Sequence, residues 1–577
     1  MFNNQIIAGS SGQGGSFYSY TIDQSLRVDD TASQRMYHNT VAGDAQKFTM
    51  SCWIKRTELT DSGTIMSSWN GASNFVNMYF SGDYLYCYIC DNRSGFVDYN
   101  FNTASSTDGA IIFRDVGAWM HVVYAVDSTQ STATDRFTIW VNGVNTNARS
   151  GGSGNDIPLN YNMEINESPG QNFLFHNPDS ASYYGSFYIA EMVYVDGTKY
   201  DADKFGEFNN GIWTPLDIST QSITYGNNGF YLDFADSSDL GKDVSGEGNH
   251  FTPGTRSAVV QNFSAHDQVL DSPTNNFATL NPLFPGNSGV YLEGNLKFQG
   301  GGFSSTLWGT KSTFAIPKDK KVYIELEETV GSGANWAAGI GTDSSTPSGT
   351  NVGGTGSITF YNRSVYVNGT QTDYGASAGI GGTGGSVTAG DIMGIAVDGS
   401  TGEVWFSRNG TYFKTPTTDD SGTVGDPSAG TNPIGTITNT NDEDLFLVIA
   451  AGTSSDNLFV NFGQDSVNVA SAESDANGLG TFEYAPPTDH VCLAASSLSE
   501  PTIGPNSDTT SDEHFNTVLY TGTGATQSIT GVGFQPDWTW AKRRAGIQEP
   551  SVTDSVRGVN AQLRPASLPQ SQRKQML

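Results

Sequence analysis

The chain has 577 residues and a formal charge of −31 at pH 7, from 28 Lys and Arg against 59 Asp and Glu. So acidic a body argues against a nucleic-acid-binding role, which needs Lys and Arg to displace counterions from phosphates. Its length predicts several domains, each with its own core. Sixty-eight Gly and 12% aromatic residues fit many short strands joined by turns. Sustained helical periodicity is absent; Asp201–Phe208 and the segment around Ser471–Gly478 are at best short helices. No export signal opens the chain and no run of about 18 apolar residues occurs, so no membrane insertion is expected, and the chain is expected to be made and kept in a cytoplasm or to leave it by lysis rather than secretion. The four cysteines, Cys52, Cys87, Cys90 and Cys492, are too few for a disulfide framework. Positions three apart in a strand face opposite ways, so Cys87 and Cys90 are read as free thiols rather than chelators.

In chain order, residues 1–16 form a Gly/Ser/Asn arm, read either as a docking peg or as a strand folded along its own first domain. Residues 17–200 read as one sandwich. Phe48, Met50, Cys52 and Ile54 alternate on one face of FTMSCWIK with Trp53 opposite, and WMHVVYAV is followed by a polar loop, RFTIWV and Asn142-Gly143. Phe187–Val195 (FYIAEMVYV) is a closing strand. Within this region Tyr84, Tyr86 and Tyr88 share one strand face, with Leu85, Cys87 and Ile89 on the other. The tyrosine row fits three readings: a platform for sugar rings, a packing surface for a neighbouring subunit, or a covered cross-strand ladder.

Residues 201–285 read as a loop-rich connector. Asp233, Asp236, Asp239 and Asp243 are spaced by three and four, unlike an EF-hand loop; the first three are weak calcium candidates beside the simpler reading of Asx-turns. No other cofactor is expected. Residues 286–466 form a second sandwich around GDIMGIAVDGSTGEVWFSRNGTYF. There Ile392, Met393, Ile395 and Val397 make an apolar strand, a short turn reverses the chain, and Asn409-Gly410 closes a second tight hairpin. Residues 467–577 end in a Pro- and Gln-rich tail in which Arg557, Arg564, Arg573 and Lys574 follow the last acidic residue, Asp554. On so acidic a protein this basic tail reads either as a dock for a sister subunit or neighbour or as a mobile end.

The motifs SCWIKR, AWMHVVYAVD, FTIWVNGV and FYIAEMVYVDG resemble the LamG-like, concanavalin A-like jelly-roll family. That resemblance implies two curved antiparallel sheets and a carbohydrate- or protein-binding module, in some members with a rim calcium. YIELEE (323–328), WAAGIG (336–341), the meander and LFVNFGQ (458–464) resemble the SPRY family, which implies a binding module without chemistry. HFNTVLYTGTGATQSITGVGFQPDWTWAKR, the opening MFNNQIIAGSSGQGGSFYSYTIDQSLR and the connector GNNGFYLDFADSSDLGKDVSGEGNHFTP resemble segments of marine bacteriophage tail and structural proteins.

The expected fold is therefore all-β, with two antiparallel jelly-roll sandwiches. The resemblances imply a virion protein, foremost a tail fibre or tail-associated adhesin, with a capsid decoration or head fibre protein as the alternative. They imply as partners other virion proteins, a host-surface glycan or protein, and sister copies, with a trimer favoured. A polysaccharide depolymerase is a further alternative, because the concanavalin A-like fold also hosts glucanases with paired carboxylates. The nearest matches, Glu325-Leu-Glu327-Glu328 and Glu164-Ile-Asn-Glu167, lack the family's central Asp or its alternation. The seven histidines form no triad pattern and no GxSxG elbow occurs. No catalytic residue is expected.

Overall fold

Period-two alternation, with side chains alternately inward and outward, builds almost everything here. The computed structural model describes residues 17–59, 62–69, 75–91, 95–100, 112–146, 149–150, 156–178, 183–255, 258–259, 263–284, 289–301, 307–330, 335–345, 353–361, 364–373, 387, 389–415, 422–464, 469, 471–499, 513–544, 550–558 and 561. The N-terminal arm, residues 1–16, and the basic positions Arg564, Arg573 and Lys574 lie outside them. The chain divides into two units, residues 1–499 and 500–577. The described elements are strands and three-residue 3-10 turns.

The first sandwich faces two antiparallel sheets. Sheet A runs, neighbour to neighbour, Val144–Asn145, Phe137–Val141, Met120–Asp127, Lys47–Arg56, Phe187–Asp196, Ser25–Val28 and Gln268–Val269. Sheet B runs Arg149–Ser150, Gly95–Asn100, Tyr84–Asp91, Phe75–Ser81, Ser62–Trp69, Gly170–Leu174, Met36–Thr40, Thr252–Thr255 and Ala258–Val259. Between them lie Phe48, Met50, Cys52 and Ile54 from one side and Met66, Met78, Leu85, Cys87 and Ile89 from the other, all buried.

The segment 201–285 is not a free linker. Phe230–Leu232 pairs with Phe187–Asp196 in sheet A, Thr252–Thr255 pairs with Met36–Thr40 in sheet B, and Gln268–Val269 pairs with Ser25–Val28. The reason is apolar surface on the outer face of sheet A. Val123, Ala125, Val193 and Val195 point away from the core, and Ala202, Phe205, Ile218 and Tyr231 cover them. Trp53, opposite the core-facing residues of its strand, packs likewise with Ile22, Trp119, Tyr188 and Val269. Of the two expected short helices, Ala202–Lys204 is a single 3-10 turn. The region 471–478 instead holds the short strand Glu473–Ser474 and a turn closed by Gly478.

The second sandwich repeats the plan. Sheet C runs Val290–Leu292, Lys297–Gln299, Asn457–Asn461, Lys321–Val330, Ile392–Asp398, Glu403–Arg408 and Thr411–Tyr412. Sheet D runs Trp308–Lys311, Leu445–Ala451, Trp336–Thr342, Ser357–Tyr361, Ser364–Val367 and Thr370–Asp373. The meander closes at Asn409-Gly410, where φ is 47° and 74°. Positive φ at both positions is what a two-residue hairpin turn of matching twist requires. Asn142-Gly143 and Asn368-Gly369 do the same. Residues beyond 466 also belong here: His490–Val491 joins Lys321–Val330 in parallel.

A buried polar seam joins the sandwiches. Lys55, fully enclosed, donates to Asp271 Oδ2 at 2.5 Å, Asn276 Oδ1 at 2.8 Å and the Phe277 carbonyl at 3.2 Å. Trp119 Nε1 donates to the other Asp271 oxygen at 2.8 Å. Nearby, the Tyr188 hydroxyl donates to the Gly294 carbonyl at 2.7 Å, and Arg27 pairs with Asp267 and Glu293 at 3.1 and 3.0 Å.

Candidate binding cleft on the first sandwich

The site begins with an irregularity. Within Phe187–Asp196 the pairing register shifts between Ala190 and Val193, and Glu191 there takes φ of 49°. A bulge adds a residue its partner strand cannot match, and so re-aims a side chain. Here it places a carboxylate, 5% exposed, against two phenols. Tyr20 donates to Glu191 Oε1 at 3.1 Å, and Tyr231 donates to Oε2. Burial pushes the Glu191 carboxyl up to about 7; the two phenol hydrogen bonds oppose this, while the charges of Asp233 and Asp217 add to it. Burial also drives the Tyr20 and Tyr231 hydroxyls well above the ordinary phenol range.

Beside this group opens a cavity of about 650 Å³, lined by Tyr20, Tyr225, Tyr231, Asp217, Asp233, Gln221 and neighbouring hydroxyl residues, with Ile218, Ile223 and Val244 as its apolar part. The elements that place them are short and locally tied. Asp217 caps the Ile218–Thr220 turn, its Oδ1 accepting the Ser219 amide at 2.9 Å and hydroxyl at 2.6 Å. Asp233 Oδ1 accepts the Ala235 amide at 3.0 Å. The Tyr225 carbonyl is fixed by the Asp196 amide at 2.7 Å, and Tyr231 stands on the strand paired at Val193. Aromatic rings beside carboxylate, amide and hydroxyl groups suit a neutral polar ligand: rings for its C–H faces, the rest for its hydroxyls.

The tyrosine row of sheet B has a different setting. Leu85, Cys87 and Ile89 are in the core, so Tyr86 and Tyr88 face outward, half-buried. Tyr84 sits at the strand's start and packs against the edge of that core. Tyr86 stacks on Tyr79 with centroids 5.1 Å apart and planes within 20°, and Tyr79 on Tyr183 at 6.3 Å and 10°. Tyr86 therefore turns one ring face to Tyr79 rather than outward. Of the aspartate series, Asp233 lines the cleft, whereas Asp236 makes an Asx-turn with Ser238 and pairs with Lys242 at 3.0 Å. The Asp239 amide closes the same turn on the Asp236 carbonyl. Among the described residues, no group of three or more His, Cys, Asp or Glu side chains is gathered as for a metal ion.

Two other polar groups are tied into the frame. Ser51 Oγ and His121 Nε2 lie 2.8 Å apart, but His121 Nδ1 accepts the Trp213 indole N–H at 3.1 Å, so no carboxylate orients the ring. Its pKa is pushed down to about 3 by burial, which keeps it neutral. Glu325, of the YIELEE segment, accepts the Glu483 and Tyr484 amides at 2.8 and 2.9 Å and the Tyr323 hydroxyl at 3.1 Å. It anchors the 473–497 segment to sheet C. The sequence signal for the cleft itself was slight: a lone Glu inside the apolar run FYIAEMVYV.

The fold is an all-β one, with a concanavalin A-like sandwich at its N-terminal end. Residues 29–176 match the family described as the concanavalin A-like lectin/glucanases superfamily, and residues 510–576 match a domain of unknown function, DUF7483. No curated protein matches the chain. Similar solved structures include domains LG4-5 of the mouse laminin alpha1 chain, at 11% identity over 75% of this chain and 84% of that one, with a TM-score of 0.25. The SPRY domain of human HERC1 is similar at 12% identity over 29% and 87%, with a TM-score of 0.19. A heptameric SAP-like pentraxin from Limulus polyphemus is similar at 15% identity over 30% and 76%, with a TM-score of 0.21.

Proposed function

We propose that the protein is a non-catalytic attachment protein of a phage virion, a tail fibre or tail-associated adhesin, which holds a host-surface glycan in the cleft beside Glu191. The observation that carries the glycan reading is a concave site in which one buried carboxylate fixes two tyrosines. A sugar-sized ligand then meets rings and hydroxyl groups whose orientation is already set, which lowers the entropy lost on binding. The same geometry supports the non-catalytic reading. Both oxygens of Glu191, a carboxyl raised by burial, are engaged by phenols. The virion setting rests on the segments resembling marine phage tail proteins. There, weak single contacts sum when several copies are carried on one particle.

The test is binding of the full chain to intact host cells and to purified surface polysaccharide. Tyr225→Ala and Asp233→Asn are expected to weaken it about tenfold or more, a change of ~1.4 kcal/mol, with the melting temperature preserved in Asp233→Asn. Unaltered binding by both variants, or none by the native chain, overturns the glycan reading. Release of reducing ends from the polysaccharide overturns the non-catalytic one. Imaging of intact particles is expected to place the chain on the tail; density on the icosahedral shell instead makes it a capsid decoration protein.

A further inference from the structure

Residues 500–577 form the second unit, and their side-chain exposure is unlike that of the rest. Its described strands are Trp538–Ala541 and Ser551–Asp554, paired with each other alone. Residues directly opposite in an antiparallel pair share a face. Trp538, Trp540, Val552 and Asp554 therefore lie on one side, and Thr539, Ala541, Ser551 and Thr553 on the other. On the first face the two indoles are uncovered, Trp538 and Trp540 being 52% and 59% exposed with their rings 6.5 Å apart, while Val552 beside them is buried. Phe515, Leu519 and Tyr520 are more than half exposed as well. A lone two-stranded ribbon is marginal in water and needs a further layer against its apolar side.

Charge says what that layer is. Residues 500–577 carry seven Lys and Arg against seven Asp and Glu, so the whole formal charge of −31 belongs to residues 1–499. Bodies so acidic repel one another, and the C-terminal unit is the part of the chain free of that repulsion. Its own charges are also segregated. All seven cations follow position 541, whereas five of the seven anions precede position 538. Two such units set head to tail pair the acidic half of each with the basic half of the other, as a twofold, self-complementary interface requires.

We propose that this unit is the assembly element of the protein, its tryptophan face covered by the same face of a second copy. The native full-length chain is then a dimer or a higher multiple by light scattering, and more dissociated at high salt. Trp538→Ser/Trp540→Ser in the full chain yields the monomer, while the melting of residues 1–499 is unchanged. A native chain that is monomeric at every concentration overturns the proposal, whether the tryptophans are then covered by residues 1–499 or by another protein. So does a double variant that stays assembled. A variant lost to aggregation is replaced by Arg543→Glu/Arg544→Glu, which leaves the apolar face intact and is expected to weaken assembly; assembly as tight as that of the native chain overturns the proposal equally.

Discussion

Lys55 shows how much one enclosed side chain can hold. Its ammonium meets Asp271, Asn276 and the Phe277 carbonyl, and both charged side chains are fully buried, so removing one partner leaves the other charge buried and uncompensated. Lys55→Met is expected to cost about 3–5 kcal/mol, and Lys55→Met/Asp271→Leu less than the single change, because an apolar pair carries no stranded charge. Chemical denaturation of the three proteins checks the order. Glu191 makes a pH prediction. Its carboxyl sits near 7 when folded, against about 4.5 in an unfolded chain. The folded state therefore holds the proton more tightly. The resulting stabilisation is complete below about pH 4.5 and is lost as pH rises through 7, a difference of at most ~3 kcal/mol. Glu191→Gln removes this slope; calorimetry between pH 5 and 8 should show the native chain losing more stability than the variant. Parallel curves would mean that Glu191 titrates normally. Sequence marks Asp233 for its spacing from Asp236 and Asp239, whereas the fold sets it in the cleft wall. Tyr20 and Tyr231 are drawn to Glu191 only by strand pairing across the chain, which no local pattern reveals.

Among the elements, the Asn-Gly hairpins were the most legible, because their backbone demand is written in two residues. Their neighbours were not legible, and they decide how each turn responds to change. A Cβ on Gly369 would meet nothing closer than 3.4 Å, but on Gly143 it would lie 2.1 Å from the Trp213 ring, which covers sheet A. Gly369→Ala is thus expected to cost about 1 kcal/mol, from positive φ alone, and Gly143→Ala clearly more; their thermal midpoints should separate in that order. Strands with one wet face, such as Tyr84–Asp91, show their alternation openly. Lys47–Arg56 and Phe187–Asp196 are buried on both faces, so alternation there identifies the core side but conceals the second covering layer. For that reason 201–285 reads as a connector: its apolar residues are scattered, and each finds its place only on a sheet already formed.

Over the whole molecule, the polar seam makes residues 1–499 behave as one body. Calorimetry should give one main transition for both sandwiches rather than two, with calorimetric and van't Hoff enthalpies in agreement; two resolved transitions would mean that the seam does not couple them. The placement of Ser25–Val28 between Phe187–Asp196 and Gln268–Val269 has a consequence during synthesis. Arg27 waits for Asp267, 240 residues downstream, or roughly ten to fifty seconds of translation at ~5–20 residues per second. Through that interval the nascent chain offers a ribosome-bound, half-built sheet whose raw edge invites chaperones or neighbouring polysomes. The yield of correctly folded protein should therefore depend on elongation rate and crowding at the exit tunnel as much as on the finished molecule's stability.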